Sequence, residues 1–119
     1  MRKLSTHVLD TAHGKPAAGV AWSLVQLAAD GITRTARGQG VTNADGRTDA
    51  PLLVGDDLLP GTYELAFAAG DYFRAIGVTL ANPAFVDVVV LRFGIAAGDL
   101  SYHVPLLVSP WSWSSYRGS

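Results

Sequence analysis

Val20-Ala21-Trp22-Ser23-Leu24-Val25-Gln26-Leu27-Ala28, closed by Asp30-Gly31, is the stretch that decides the fold class. Successive side chains of a strand point to opposite faces, so Trp22 and Leu24 share one face while Ser23 and Val25 share the other. The same grammar recurs outward in both directions: short apolar runs punctuated by Gly, Pro, Asn and Asp, the pattern of an all-β chain. Leu4 to Leu9 reads as a first strand, and Asp10 to Gly19, with its Gly and Pro interruptions, as a loop. Ile32 to Arg37 alternates Thr with Ile, Arg and Ala, as an exposed or interface strand does. Asn43-Ala44-Asp45-Gly46 is a turn that delivers Arg47, and Pro60-Gly61 is another. Beyond it Tyr63, Leu65 and Phe67 point one way. Phe85 to Phe93 is a longer Val-rich strand with Asp87 and Arg92 as solvent-facing charges on opposite faces. Tyr102 to Val108 is a strand whose Pro105 lacks an N–H, which predicts a sheet edge or a bulge there. Gly70 to Gly77 is the one short helix expected. Seven or eight strands, with no repeat or low-complexity tract, predict a compact β-sandwich.

Composition narrows the partners. The chain has 119 residues, most economically one domain spanning 1–119. Nine Lys and Arg against ten Asp and Glu leave no basic field to capture a phosphate backbone, so nucleic acid is not an expected partner. Hydrophobic residues make up 49% and charged residues 16%, more apolar surface than a small monomer hides, which predicts self-association. No cysteine is present, so disulfides and thiolate chemistry are excluded. Met1-Arg2-Lys3-Leu4-Ser5-Thr6-His7 lacks the apolar core of a signal peptide and no run approaches membrane-spanning length, so no membrane partner and a cytoplasmic location are expected.

The side chains able to do chemistry are few. His7 and His103 fall inside strands with apolar neighbours; singly, such a histidine reads as structural or interfacial. Arg47, taken alone, reads as a solvated residue after a turn. His13 lies in a polar loop and is expected to be exposed and without a role. Trp111 and Trp113 alternate around Ser112, which predicts a packed edge or subunit contact. Tyr116, Arg117, Gly118 and Ser119 gather a ring, a permanent cation, a glycine and a hydroxyl, chemistry suited to polar recognition.

Four segments, Leu4-Ser5-Thr6-His7-Val8-Leu9-Asp10, Asn43-Ala44-Asp45-Gly46-Arg47, Tyr102-His103-Val104-Pro105-Leu106-Leu107 and Tyr116-Arg117-Gly118-Ser119, together resemble one family across essentially the whole chain. It is the transthyretin-like family, in particular its 5-hydroxyisourate hydrolases of purine catabolism. The resemblance implies a transthyretin-like sandwich of two antiparallel sheets with a short helix, a homotetramer (a dimer of dimers) with sites lined by two subunits, and no metal or organic cofactor. It implies hydrolytic ring opening of 5-hydroxyisourate to 2-oxo-4-hydroxy-4-carboxy-5-ureidoimidazoline. His7, Arg47 and His103 would then be catalytic, and His7, Arg47, Ser114, Tyr116, Arg117 and Ser119 would bind substrate. Water attack on a ring carbonyl needs proton transfer, which an imidazole supplies, and oxyanion stabilisation, which a guanidinium fork supplies. Which histidine is the base stays open.

Two other readings stand beside the enzyme. A transthyretin-like carrier of hormones or other small ligands would use the same sandwich, but such carriers lack the terminal Tyr-Arg-Gly-Ser and the first-strand histidine. Zinc held by paired histidines is the weaker alternative, because no carboxylate or cysteine joins them at ligand spacing.

Overall fold

The computed structural model describes residues 2–97 and 100–118. Nine strands occur among them: β1 (Lys3–Asp10), β2 (Lys15–Pro16), β3 (Ala21–Leu27), β4 (Arg34–Val41), β5 (Leu53–Val54), β6 (Gly61–Ala68), β7 (Val88–Ile95), β8 (Tyr102–Val108) and β9 (Trp113–Ser115). One α-helix, α1 (Ala69–Ala75), follows β6. The first sheet runs β2-β1-β8-β9 with β5 also on β1, and the second runs β4-β3-β6-β7. All strand pairs are antiparallel except β1 and β8, which run parallel from Leu4↔Tyr102 to Asp10↔Val108. That parallel pair joins two segments far apart in sequence and lays the two strand histidines on neighbouring strands.

Period-two alternation fills the space between the sheets. Leu4, Val8, Leu24, Tyr63, Leu65, Phe67, Phe73 and Leu106 are fully buried. At the end of β1 the buried Asp10 carboxylate takes the His13 backbone N–H at 3.0 Å, faces His13 Nδ1 at 2.7 Å and accepts the Tyr72 hydroxyl at 2.8 Å. Burial and that carboxylate push the Tyr72 phenol well above its ordinary value. His13 is exposed, as its polar neighbours suggest, yet it is not without a role: sharing the Asp10 carboxylate with Tyr72, it helps tie the loop after β1 to α1.

Several boundaries differ from the sequence reading, each for a local reason. The fourth strand starts at Arg34 rather than Ile32, because the Asp30 carboxylate accepts the N–H groups of Ile32 and Thr33, both at 2.8 Å, and holds them in the turn. It then runs on to Val41 through Gly38 and Gly40, which make room for the Trp22 ring: a Cβ at Gly40 would lie 3.1 Å from Trp22 Cζ2. Phe85 is 85% exposed in the loop before β7, which begins at Val88. Asp87 meets Arg74 at 3.7 Å, and Arg92 meets Glu64 at 2.9 Å, so neither is a lone solvated charge. Glu64, bonded by Arg92 and then Arg34, is held below the usual carboxylate range. Three short strands lie outside those named from the sequence: β2 and β5 are two-residue pieces that β1 recruits from segments with no strand signal of their own, and β9 is a three-residue piece paired with β8.

Pro105 is a correction of a different kind. It lies within a strand flanked on both sides, not at a sheet edge. Leu106↔Ser115 and the bridge His103↔Gly118 share one register, which sets Tyr116 opposite Pro105. The Gly118 N–H donates to His103 O, so odd-numbered residues of β8 turn their backbone groups toward the chain end. The absent Pro105 N–H thus faces Tyr116, and the ladder is interrupted only there, with Ser115 Oγ donating to Pro105 O at 2.6 Å instead.

Candidate active site

The alternation that buries Leu4, Thr6, Val8 and Asp10 turns Lys3, Ser5 and His7 to the outer face of the first sheet. On β8 the same rule buries Tyr102, Val104 and Leu106 and leaves His103 half-exposed. The parallel register pairs Ser5 with His103 and His7 with Pro105, so the two imidazoles share a face on adjacent strands. Ser5 Oγ lies 2.8 Å from His103 Nδ1.

Arg47 reaches this face because its turn is bolted to β1. Asn43 N–H donates to Arg47 O at 2.8 Å, Asn43 Oδ1 accepts the Asp45 and Arg47 N–H groups at 2.9 and 3.2 Å, and Val8 N–H donates to Gly46 O at 2.8 Å. Gly46 has φ +72°, and a Cβ there would strike Val8 O, so only glycine lets the turn dock this closely. A cavity of about 340 Å³ results, lined by Lys3, Ser5, Arg47, Ser101, Tyr102 and His103.

Electrostatics follow from that lining. Burial, and after it the charges of Arg47, His7 and Lys3, hold the His103 imidazole below its ordinary value, which keeps it neutral at physiological pH. The chain end closes over the ring. Gly118 N–H donates to His103 O at 2.7 Å, and a Cβ on Gly118 would come within 2.7 Å of His103 Cδ2.

The structure brings His7, Arg47 and His103 to one face; the register sets Tyr116, 61% exposed, opposite Pro105, but within one chain Tyr116 lines a second cavity, between β7 and β9, and not the one at His103. It does not bring Ser114 to them within one chain. Ser114 pairs with Leu107, four residues from His103, about 13 Å along the strand. Arg117 lines that second cavity too, which holds about 350 Å³, with its guanidinium 4.3 Å from the Tyr102 ring centre. Ser119 lies outside the described residues. Trp111 and Trp113 are 71% and 46% exposed in the single chain, so the packing expected of them is not made within it. The sequence alone assigns no site role to Lys3, Ser5 or Ser101, although Lys3 and Ser5 sit at period two from His7 and so had to share its face. Among the described residues no group of three His, Cys, Asp or Glu side chains could hold a metal ion, and no helix is long and apolar enough to cross a membrane.

A two-sheet sandwich with a parallel β1–β8 pair and an imidazole-guanidinium pocket on its outer face is of the transthyretin-like class. The chain belongs to the HIUase/Transthyretin family, whose family model matches residues 4–118. It is 55% identical to a 5-hydroxyisourate hydrolase of Pseudomonas aeruginosa over 119 residues, covering 100% of this chain and 93% of that one. The crystal structure of (S)-allantoin synthase superposes with a TM-score of 0.91 at 44% identity, covering 98% of this chain but only 43% of the synthase. The 5-hydroxyisourate hydrolase of Klebsiella pneumoniae superposes with a TM-score of 0.80 at 34% identity, over 100% of both chains.

Proposed function

We propose that this protein is a 5-hydroxyisourate hydrolase that opens the six-membered ring of its substrate to give 2-oxo-4-hydroxy-4-carboxy-5-ureidoimidazoline, with no metal or organic cofactor. The observation that carries the reading is the convergence of Arg47 and His103 on one cavity, with His7 on the same sheet face beside it, in a chain 55% identical end to end to a hydrolase of that name. In this reading Arg47 takes the developing oxyanion in its fork, and the imidazoles move the proton from water to the leaving nitrogen. Tyr116 contacts the heterocycle. Arg117 acts through Tyr102, whose ring it covers and which lines the cavity.

The test is to mix pure protein with freshly generated 5-hydroxyisourate and follow its ultraviolet spectrum, with and without EDTA. Decay faster than the uncatalysed control and indifferent to EDTA is expected; decay equal to that control would overturn the reading. The pH dependence has a defined sign. His103 must be neutral to accept a proton, and its folded-state value is depressed, so the acid limb of kcat/KM should lie below its ordinary 6.5. Lys3→Gln removes one of the depressing charges and should move that limb upward. Linkage gives stability the same direction: the unfolded chain takes up the proton first, so stability declines as pH falls below 6.5.

A homotetramer is part of the same proposal. It is supported by the edge strands β7 and β9, with Val88, Val90 and Trp113 exposed along them, and by the distance of Ser114 from its own chain's His103, which a second subunit facing the outer sheet would make good. Light scattering on a size-exclusion column should give four chain masses, about 50 kDa from a chain of 12.5 kDa. A fully active monomer would remove the shared site.

A further inference from the structure

We propose that Ser5 is the positioning residue that holds His103 in its Nδ1–H tautomer and so leaves Nε2 as the atom that takes the proton from water. The inference rests on the hydrolase reading and decides what the sequence leaves open, which histidine is the base. Ser5 and His103 are direct register partners across the parallel β1–β8 pair, both half-buried, with Oγ 2.8 Å from Nδ1. Gly118 packs against the Cβ, Cγ and Cδ2 side of the ring. Among the described residues Nε2 has no hydrogen-bond partner, so Nδ1 is engaged and Nε2 is the proton site left for substrate.

A serine hydroxyl can accept from Nδ1–H or donate to bare Nδ1, so the distance alone does not choose the tautomer. The chemistry of the base does. A neutral imidazole that takes a proton from water must offer a bare nitrogen to it, and with Nδ1 engaged by Ser5 the nitrogen left for water is Nε2. The single ring proton then sits on Nδ1, and Ser5 Oγ is the acceptor that receives it. No acidic side chain lines the cavity among the described residues to compete for that proton. His7, whose register partner is Pro105 rather than a hydroxyl-bearing residue, has no equivalent anchor across β8.

The step then balances. As the water oxygen bonds to the ring carbonyl carbon, its proton passes to Nε2 and the carbonyl electron pair moves to oxygen beside Arg47. Collapse of the tetrahedral centre breaks the carbon–nitrogen bond, the electron pair stays on nitrogen, and Nε2–H returns the proton to it. Carboxyl and N–H products form, and His103 ends neutral, still tethered at Nδ1.

The test uses the full-length protein with nitrogen-15-labelled histidine, in three forms: wild type, Ser5→Ala and Ser5→Thr. Nuclear magnetic resonance of the neutral imidazoles should assign His103 in the wild type as Nδ1–H with a bare Nε2, and in Ser5→Ala as a mixture of tautomers. Ser5→Ala should lower kcat about tenfold with KM nearly unchanged, since one hydrogen bond orients the base without touching substrate. Ser5→Thr, which keeps the hydroxyl, should restore both the tautomer and the rate. An Nε2–H tautomer in the wild type, an unchanged rate in a folded Ser5→Ala, or failure of Ser5→Thr to rescue would overturn the proposal. The tautomer measurement needs no substrate, so a wild-type protein inactive on 5-hydroxyisourate would overturn the hydrolase reading, and with it the catalytic role of Ser5, while the proton's position at Nδ1 is decided separately.

Discussion

Arg47→Lys is expected to lower kcat/KM for 5-hydroxyisourate by about 100-fold or more, on the scale of losing one oxyanion donor, with the fold intact. The turn that carries Arg47 is held by backbone groups and by Asn43 Oδ1, none of which needs the guanidinium. Arg47 itself is exposed, so the substitution should change stability by no more than about 0.5 kcal/mol, read from urea denaturation. Lysine keeps the positive charge near His103 but lacks the planar fork. The acid limb of the pH profile should therefore stay where it is while turnover collapses. Arg47→Gln removes both fork and charge, and its acid limb, measured on whatever activity remains, should rise. His103→Ala should lose at least as much turnover. Near wild-type activity in a folded Arg47→Lys would show that charge alone suffices and that no bidentate contact is made.

How far the sequence foretold this arrangement depends on whether the deciding physics was local. The shared face of Trp22 and Leu24 and the one-sided burial of Tyr63, Leu65 and Phe67 are legible because pleat geometry and hydrophobic burial act on adjacent residues, whereas the register shift after Leu24, beyond which Leu27 is buried, is not. What does not show is set by pairing partners outside the segment itself. Lys15–Pro16 and Leu53–Val54 become strands only because β1 offers them an edge, and nothing in either dipeptide says so. Pro105 gave a sound local rule, that a missing N–H needs an unpaired side, but not the answer, because the unpaired side is a one-residue interruption within the sheet.

The site divides the same way. His7, Arg47 and His103 were named from their segments, yet their convergence depends on a parallel pair that joins strands about a hundred residues apart and on a turn docked through Gly46. Tyr116 and Arg117, neighbours in sequence, both line the cavity between β7 and β9, where the Tyr102 ring captures the guanidinium, rather than the one at His103. Ser5 is silent in the sequence because a hydroxyl on a strand carries no signal until its cross-strand partner is known. The role of His13 is hidden in the sequence because nothing local marks Asp10, three residues before it, as a buried acceptor.

The closing contact of the chain end gives the second large effect. Gly118→Ala is expected to reduce turnover by about tenfold to 100-fold, the range over which displacement of a catalytic group is felt. The cause is steric, because Gly118 is not among the glycines whose positive φ would itself oppose a side chain. An alanine Cβ would lie 2.7 Å from His103 Cδ2 and 3.2 Å from its Cβ, a separation real Cβ atoms do not tolerate. Either the imidazole swings away, breaking the 2.8 Å contact with Ser5, or the 2.7 Å Gly118–His103 backbone bond opens and the chain end leaves the cavity. Both displace the reacting geometry, and neither reaches the core, so the melting temperature should hardly move. Deleting Tyr116 to Ser119 should cost at least as much activity as Gly118→Ala while leaving assembly unchanged on a size-exclusion column, since the exposed apolar side chains Val88, Val90 and Trp113 all precede the deletion. A Gly118→Ala variant with unaltered turnover would mean that the end of the chain lies beside the imidazole without constraining it.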